Sequence, residues 1–438
     1  MSSSMEKHVD TAKYNRRITE LLESLAMISV PGPGVSRLGY TPLEREAHSL
    51  FAASMEKLGL RVRVDSAGNT IAEHPGEVPG LPAIGTGSHL DSVPNGGRFD
   101  GIAGVVSAIV AAEQIIESGR PHQHPIRFVA FACEEGARFG QACVGSRLAA
   151  GLMSNGDVHA RRDNDGVSIA DAMAEVGLDA EEAARSPWDR TEWAAFIELH
   201  VEQGGQLERA EIPVGLVDLI SGSTRLTLQV TGQASHTGAT PMGERADALT
   251  AAAEIVLQAE ALAMDSRHRG TRATIGRLEV APGSITTIPG EVIMAVDIRD
   301  VDSDRQRMTA AELVRRARAI CDRRNIELKV TLLGDASPVV LPSWVRDVLA
   351  AAAVEARVPY RSLTSGASHD AQMINHIMPT GMVFVPSKAG LSHVPSEWTD
   401  ANDIFIGTQV LLEGLFGMDS VLTDRRALVK TEIGPTSA

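Results

Sequence analysis

The sequence predicts an α/β protein: a main domain with a largely parallel sheet, built from two chain segments and split by an inserted domain. Three observations carry this. Short apolar strands alternate with helices along the first part of the chain. Polar residues cluster where those strands end, which is where open α/β sheets gather their sites. From Ser221 onward the pattern changes to strands of strict alternation, in the order β-α-β-β-α-β.

Taken in order, residues 41–58 read as a helix closed by Gly59, and the strand LRVRV follows. PAIGTGSHLD is a short apolar strand running into polar residues. GIAGVVSAIVAAEQIIESG reads as a buried helix, and PIRFVAFACEEG as a strand with acids at its C-terminal end. The stretch 154–190 is polar and acidic and reads as surface helix and loop. AAFIELHVEQG is a further strand end. In the inserted part, STRLTLQV sets Leu226, Leu228 and Val230 on one face. A helix over 245–263, the strands TRATIGRLEV and EVIMAVDIRD, a helix over 302–324 and the strand IELKVTLL complete a ferredoxin-like (βαββαβ) unit. The α/β pattern resumes with a helix over 343–356, a strand at GMVFVP and a closing helix from 401. The expected boundaries are 1–214, 215–333 and 334–438.

Composition narrows the function classes. With 438 residues and ~150 residues per domain, two or three domains are expected. Lys plus Arg is 41 against 56 Asp plus Glu, a formal charge of −15 that opposes non-specific nucleic-acid binding. The N-terminal stretch MSSSMEKHVDTAKYNRR has no apolar signal core, and no uninterrupted apolar run is long enough to span a bilayer. Cys133, Cys143 and Cys321 lack metal-type or disulfide-framework spacing. A cytoplasmic protein without nucleic-acid or membrane partners is expected.

Four regions carry candidate chemistry. In GSHLDSVPNGGRFDG, His89 and Asp91 lie two apart at a strand end, so Asp91 can accept the second ring nitrogen of a metal-ligating His89. Asp100 follows a Gly-rich loop and precedes the buried helix, where it could bridge two ions or simply cap the helix. Glu134 and Glu135 are adjacent acids after an apolar strand, costly to keep charged without a cation. One as ligand and the other as general base divides the work sensibly, against the alternative of a solvated turn. On the strand IELHVEQ, Glu198, His200 and Glu202 alternate onto one face; His200 could complete a metal site and Gln203 could face substrate. His393, in LSHVPSEW, is uninformative alone. Together His89, Asp100, Glu135, His200 and His393 suit Zn²⁺, Mn²⁺ or Co²⁺ better than a soft-ligand metal.

The segments GVSRLGYT, GSHLDSVPNGGRFDG, FACEEGARF, ELHVEQG, GQASHTGATPM, SGASHDAQ and LSHVPSEW resemble the amidase and carbamoylase branch of the aminoacylase-type binuclear metallohydrolases. That branch includes N-carbamoyl-L-amino-acid hydrolases, allantoate amidohydrolases and one class of β-ureidopropionases, and the likeness runs along nearly the whole chain. It implies a two-segment catalytic domain, a lid and dimerisation domain, a homodimer, and two divalent ions per subunit. His89, Asp100 and His200 would hold one ion, and Asp100, Glu135 and His393 the other. Glu134 would activate the attacking water and Asp91 would orient His89. His236, in GQASHTG, would polarise the scissile carbonyl. Arg299 would clamp a substrate carboxylate, with Gln203, Thr286, Gly366 and Ser368 also at the substrate. The implied reaction removes the carbamoyl group of an N-carbamoyl-L-amino acid or similar small ureide, with an allantoate-type amidohydrolase as the alternative and an N-acyl-amino-acid deacylase or dipeptidase as the more distant one. Relatives often carry Asn where Thr286 stands and Gly where Ser368 stands, so the pocket is expected to differ from theirs.

Overall fold

The computed structural model describes residues 10–433, with side chains to 426. The chain divides into two compact units. One comprises the chain to Asp218, Leu341–Ser365 and the segment from His369; the other comprises Leu219–Val340 and Gly366–Ser368.

The first unit is built on a mixed sheet whose centre is parallel. Strands β1 (Arg61–Val64), β2 (Thr70–His74), β3 (Ala83–His89), β4 (Ile126–Phe131), β5 (Trp193–Val201) and β6 (Val214–Ile220) are joined by Thr380–Val385 in the order β1-β2-β4-β3-β5-(Thr380–Val385)-β6. The four inner strands pair in parallel, and β1, β2 and β6 run antiparallel to their neighbours. All seven residues of β3 are buried, as expected of a strand covered on both faces. Because β6 belongs to this sheet, residue 215 lies inside a strand.

The helices follow their sequence signals. Pro42–Lys57 starts after Thr41, whose side chain accepts the Glu44 N–H, and has Pro42 in its first turn. Ile102–Ser118 is buried along most of its length, hence its near-continuous apolar sequence, and ends on the left-handed Gly119. The closing helix Ala401–Ile433 is long and apolar enough to cross a membrane by composition, yet 67% of its most apolar stretch is buried. Ile404, Val410, Leu411, Leu415 and Met418 pack into the same core as Ile109, Ile197 and Leu349, so it is a core helix.

Three departures from the sequence reading have clear causes. The helix Thr11–Met27 was not anticipated, although Asp10 caps it and Tyr14, Ile18, Leu21, Leu22 and Leu25 form one buried stripe. The polar stretch 154–190 holds three short helices, and Val158, Ile169, Met173 and Ala183 join Tyr40, Phe139 and Leu148 in a second core. β2, β6 and Tyr360–Ser365 are short strands lacking an alternating pattern long enough to read.

In the second unit, the strands Gly222–Thr231, Arg272–Ala281, Glu291–Asp300 and Glu327–Ala336 form an antiparallel sheet, with the last strand next to the first. The helices Ala248–Met264 and Ser303–Arg323 cover one face, packing Ile255, Leu262, Leu313 and Ile320 against Leu226, Leu228, Val292, Met294 and Val296. Asp247 and Asp302 cap these helices, so the first begins three residues later than the sequence suggested.

One buried cation ties the N-terminal helix to the site-bearing strand. Arg37 is fully buried and donates from Nη1 to the Leu25 and Ile28 carbonyls and from Nε to the Leu90 carbonyl, at 2.6–2.7 Å. Replacing it with methionine removes the donor from the Ile28 and Leu90 carbonyls and leaves Leu25 only its bond from the Ile28 N–H, each lost partner costing about 1–3 kcal/mol. We expect Arg37→Met to lower unfolding free energy by about 3 kcal/mol or more in denaturant titration. An unchanged midpoint would contradict this role.

Candidate metal centre and active site

The strand ends converge on one buried polar centre. His89 closes β3, Asp100 precedes the helix Ile102–Ser118, Glu134 and Glu135 follow β4, and His200 lies near the end of β5. His393 sits on the loop before the closing helix, in a left-handed conformation with φ 61°. His89, Asp91, Asp100, Glu134, Glu135 and His200 are buried, whereas the His393 side chain is 45% exposed.

The imidazoles are oriented as metal ligands. His200 Nδ1 lies 2.9 Å from the Val201 carbonyl, which can only accept, so Nδ1 carries a proton and Nε2, 3.2 Å from the Gly101 amide nitrogen, is the nitrogen turned toward Asp100. His89 Nδ1 is 3.2 Å from the Asp91 carbonyl and 3.4 Å from Asp91 Oδ1, which likewise turns Nε2 toward Asp100. Asp91 does more than orient His89. Its Oδ1 accepts the Glu134 N–H at 2.8 Å and its Oδ2 the Glu135 N–H at 3.0 Å, fixing the turn that carries both acids.

The donor spacing fits two adjoining ions. Ligands about 2.0–2.1 Å from a tetrahedral ion lie roughly 3.3 Å from one another. His200 Nε2 is 3.1 Å and His89 Nε2 3.6 Å from Asp100 Oδ1. Around the other oxygen, His393 Nε2 is 3.2 Å from Asp100 Oδ2 and 3.4 Å from Glu135 Oε1. Glu135 Oε1 is buried with no hydrogen-bond partner, as a position reserved for a cation would be. The two groups share Asp100. A third potential group, Glu198, His200 and His369, shares His200 with the first.

Charge follows the same geometry. Burial alone would raise Asp100, but hydrogen bonds from His200, His393 and His89 hold it well below its ordinary value. Without an ion, His393 is pushed up to about 11, chiefly by the charge of Glu135. Burial, and then the neighbouring Glu135, carry Glu134 up to about 7 against the opposing charge of His89. Its Oε1 accepts the Cys143 thiol at 2.9 Å, and Oε2 lies 3.8 Å from His89 Nε2. A carboxylate beside the ligand set with a value near neutrality is suited to general base work.

Other candidates have different surroundings. Gln203 Nε2 donates to Asp100 Oδ2 at 2.6 Å, while its buried Oε1 has no partner. Glu202 accepts the Gln206 and Leu207 N–H groups and so caps a helix rather than facing a ligand. Glu198 accepts Ser88 Oγ and the Ala371 N–H. Ser392, Glu397 and Cys143 also touch the centre, although nothing in LSHVPSEW or in the cysteine spacing points to them. Ser392 and Glu397 meet Asp100 across 292 and 297 residues, and Cys143 meets Glu134 through an irregular turn, so no spacing rule links them to the centre.

In the second unit His236 is exposed, and its Nδ1 accepts the Gly238 and Ala239 N–H groups at 3.1 and 3.2 Å. Both donors are backbone amides, so Nδ1 is unprotonated and the neutral ring carries its proton on Nε2. Thr286 lies beside it: its carbonyl accepts from Thr237, and its hydroxyl is 3.3 Å from Ser284 Oγ. Arg299 projects from the sheet face opposite the helices. It donates from Nε and Nη2 to Asp297 and from Nη1 to the Gly366 carbonyl. Three of a guanidinium's five N–H groups are thereby used, leaving one on each terminal nitrogen. Ser368 is partly buried.

The fold and this centre define a metal-dependent hydrolase. Residues 85–415 match the sequence profile of Peptidase family M20/M25/M40, and the chain belongs to that family. It is 40% identical over 403 residues to an N-carbamoyl-L-amino-acid amidohydrolase of Paenarthrobacter aurescens, covering 92% of this chain and 98% of the relative. It is 33% identical over 413 residues to an allantoate amidohydrolase of Bacillus subtilis, covering 94% and 99%. A crystal structure of a hydantoinase/carbamoylase family amidase from Burkholderia vietnamiensis superimposes with a TM-score of 0.86 at 33% identity, over 92% of this chain and 97% of that one.

Two expectations follow. Gly101 has φ 69°, and a Cβ there would lie 2.4–2.5 Å from the His89 ring. Gly101→Ala should displace His89 and weaken metal binding by about tenfold or more, measured by metal titration; unchanged affinity would argue against the ligand set. Metal binding should also release protons. His89, His200 and His393 are all raised in the metal-free protein, His393 to about 11, so each holds its proton to higher pH than a free imidazole and an ion must displace it. Affinity should therefore rise with pH, and the apparent heat should depend on buffer ionisation enthalpy. Buffer-independent heats would count against the assignment.

Proposed function

We propose that this protein is an amidohydrolase that removes the carbamoyl group of an N-carbamoyl-L-amino acid, releasing the amino acid, ammonia and carbon dioxide. The observation that supports it best is a donor set of spacing and polarity suited to two ions, with Glu134 beside it and not among the ligands. In this reading His89, Asp100 and His200 hold one divalent ion and Asp100, Glu135 and His393 the other, with Zn²⁺, Mn²⁺ or Co²⁺ as the fitting metals. Such ions supply Lewis-acid polarisation of a carbonyl and a water acidified toward neutral pH.

The remaining steps belong to the chain. Glu134 takes a proton from the attacking water through Oε2 and delivers it to the departing nitrogen. Asp91 holds both Glu134 and His89 in place. His236 donates its Nε2 proton to the developing oxyanion, the type of donor such a charge requires. Arg299 forks onto the substrate carboxylate through its two unused N–H groups, a geometry lysine cannot copy. Gln203, Thr286, Gly366 and Ser368 shape the rest of the pocket. In this reading the inserted unit is a ferredoxin-like lid, supported by its strand order and one-sided helix cover, and the family resemblance supports a role for it in dimerisation.

A second reading is an allantoate-type amidohydrolase, favoured by the likeness to the Bacillus subtilis enzyme and by Thr286 and Ser368, which depart from the commoner Asn and Gly. Both substrate types release ammonia, whereas an N-acyl-amino-acid deacylase or dipeptidase would release an acid or amino acid. Ammonia release by metal-reconstituted protein across N-carbamoyl amino acids and allantoate separates the two readings. Glu134→Gln should keep its metal and lose about 100-fold or more of kcat. A variant that turns over at a near-normal rate would remove Glu134 from the mechanism.

A further inference from the structure

Glu397 belongs to none of the roles assigned above, yet few side chains are tied as closely to the metal-ligand centre. It is 2% exposed. Its Oε1 accepts two consecutive backbone N–H groups, Phe99 at 2.9 Å and Asp100 at 3.0 Å. Its Oε2 lies 2.7 Å from Ser392 Oγ, which is also 2.8 Å from Asp100 Oδ2. The carboxylate thus grips the Asp100 backbone directly and reaches its side chain through one hydroxyl.

The facing loop is shaped to receive it. A Cβ at Gly97 would lie 2.1 Å from Glu397 Oε1 and 2.4 Å from its Cβ, so only glycine leaves room. The neighbouring Trp398 ring meets Phe99 edge to face, with centroids 5.3 Å apart. The loop that carries His393 is therefore fastened to the loop that carries Asp100, and Glu397 is the polar half of that fastening.

We propose that Glu397 is the positioning residue for the shared ligand Asp100, holding it in register with His393 by hydrogen bonding rather than by charge. This rests on the two-ion reading given above. Both ions share Asp100, so loosening it weakens both together, whereas altering His89 or His393 weakens one first. A residue holding a metal ligand through a hydrogen bond typically contributes about 10–100-fold to metal affinity.

Three variants separate geometry from charge, with metal binding followed by titration calorimetry on the full-length protein using Zn²⁺ and Mn²⁺. Glu397→Gln keeps an oxygen for the two N–H groups and an amide donor toward Ser392, and should stay within about threefold of the parent affinity. Glu397→Asp keeps the charge but falls one methylene short, and should lose about tenfold or more at both ions. Glu397→Ala should lose at least as much, and the Asp variant gives the same answer if the Ala variant does not fold. Any fall in metal-free stability of the Asp variant should be smaller than its loss of metal affinity. The proposal is overturned if Gln loses affinity and Asp retains it, if only one ion is weakened, or if affinity falls only in step with metal-free stability. A parent protein that binds no divalent ion would instead sink the two-ion reading itself.

Discussion

Asp91 is the group on which the rest of the centre depends. A fully buried carboxylate is tolerable only when its lone pairs are filled, and here three groups face them: the Glu134 and Glu135 amides and the His89 ring. That one arrangement fixes the tautomer of a candidate ligand and the position of the two acids after β4. The charge of Arg37 also acts on it, and Arg37 in turn holds the N-terminal helix against the end of β3. Fold and chemistry therefore meet at a single side chain.

Around Asp91 the centre accumulates negative charge that burial disfavours. Glu134, Glu198 and Asp370 are all raised primarily by burial, with neighbouring acids adding to the shift in Glu134 and Asp370. Asp100 stays ionised only because three imidazoles surround it. Such a cluster can be stabilised by protons or by divalent cations. His89 and His200 each direct Nδ1 at a backbone or carboxylate oxygen and Nε2 toward Asp100, an orientation that serves an imidazolium paired with Asp100 in the metal-free protein and an ion once that proton has left.

Much of this was legible in the sequence, for a physical reason. Strands of a parallel sheet end at one edge, so HLD, EEG and ELH, each following an apolar strand, had to meet there. Alternation in EVIMAVDIR likewise placed Arg299 opposite the packed face. Interactions across long sequence separations could not be read. Glu397 reaches back 297 residues to Asp100; even the Cys143–Glu134 contact, local in the chain, is made through a turn that no periodicity describes. Glu202 shows the converse. It alternates with Glu198 and His200 on one face, yet it sits at the start of a helix and is consumed in capping it. Face alternation identifies which side chains share an edge, while backbone amides nearby decide which remain free.

The two units differ in how firmly they hold their polar groups. The ligands and Glu134 are held by buried bonds within the first unit, and Asp91, Gly97 and Gly101 leave them little freedom. The second unit offers groups whose constraint is local and partial. His236 is fixed in tautomer by two amides but stands exposed, and Arg299 keeps one free N–H on each terminal nitrogen. The acids after β4 are thus fixed by their own buried surroundings, whereas the polar groups of the second unit keep hydrogen-bonding capacity unspent.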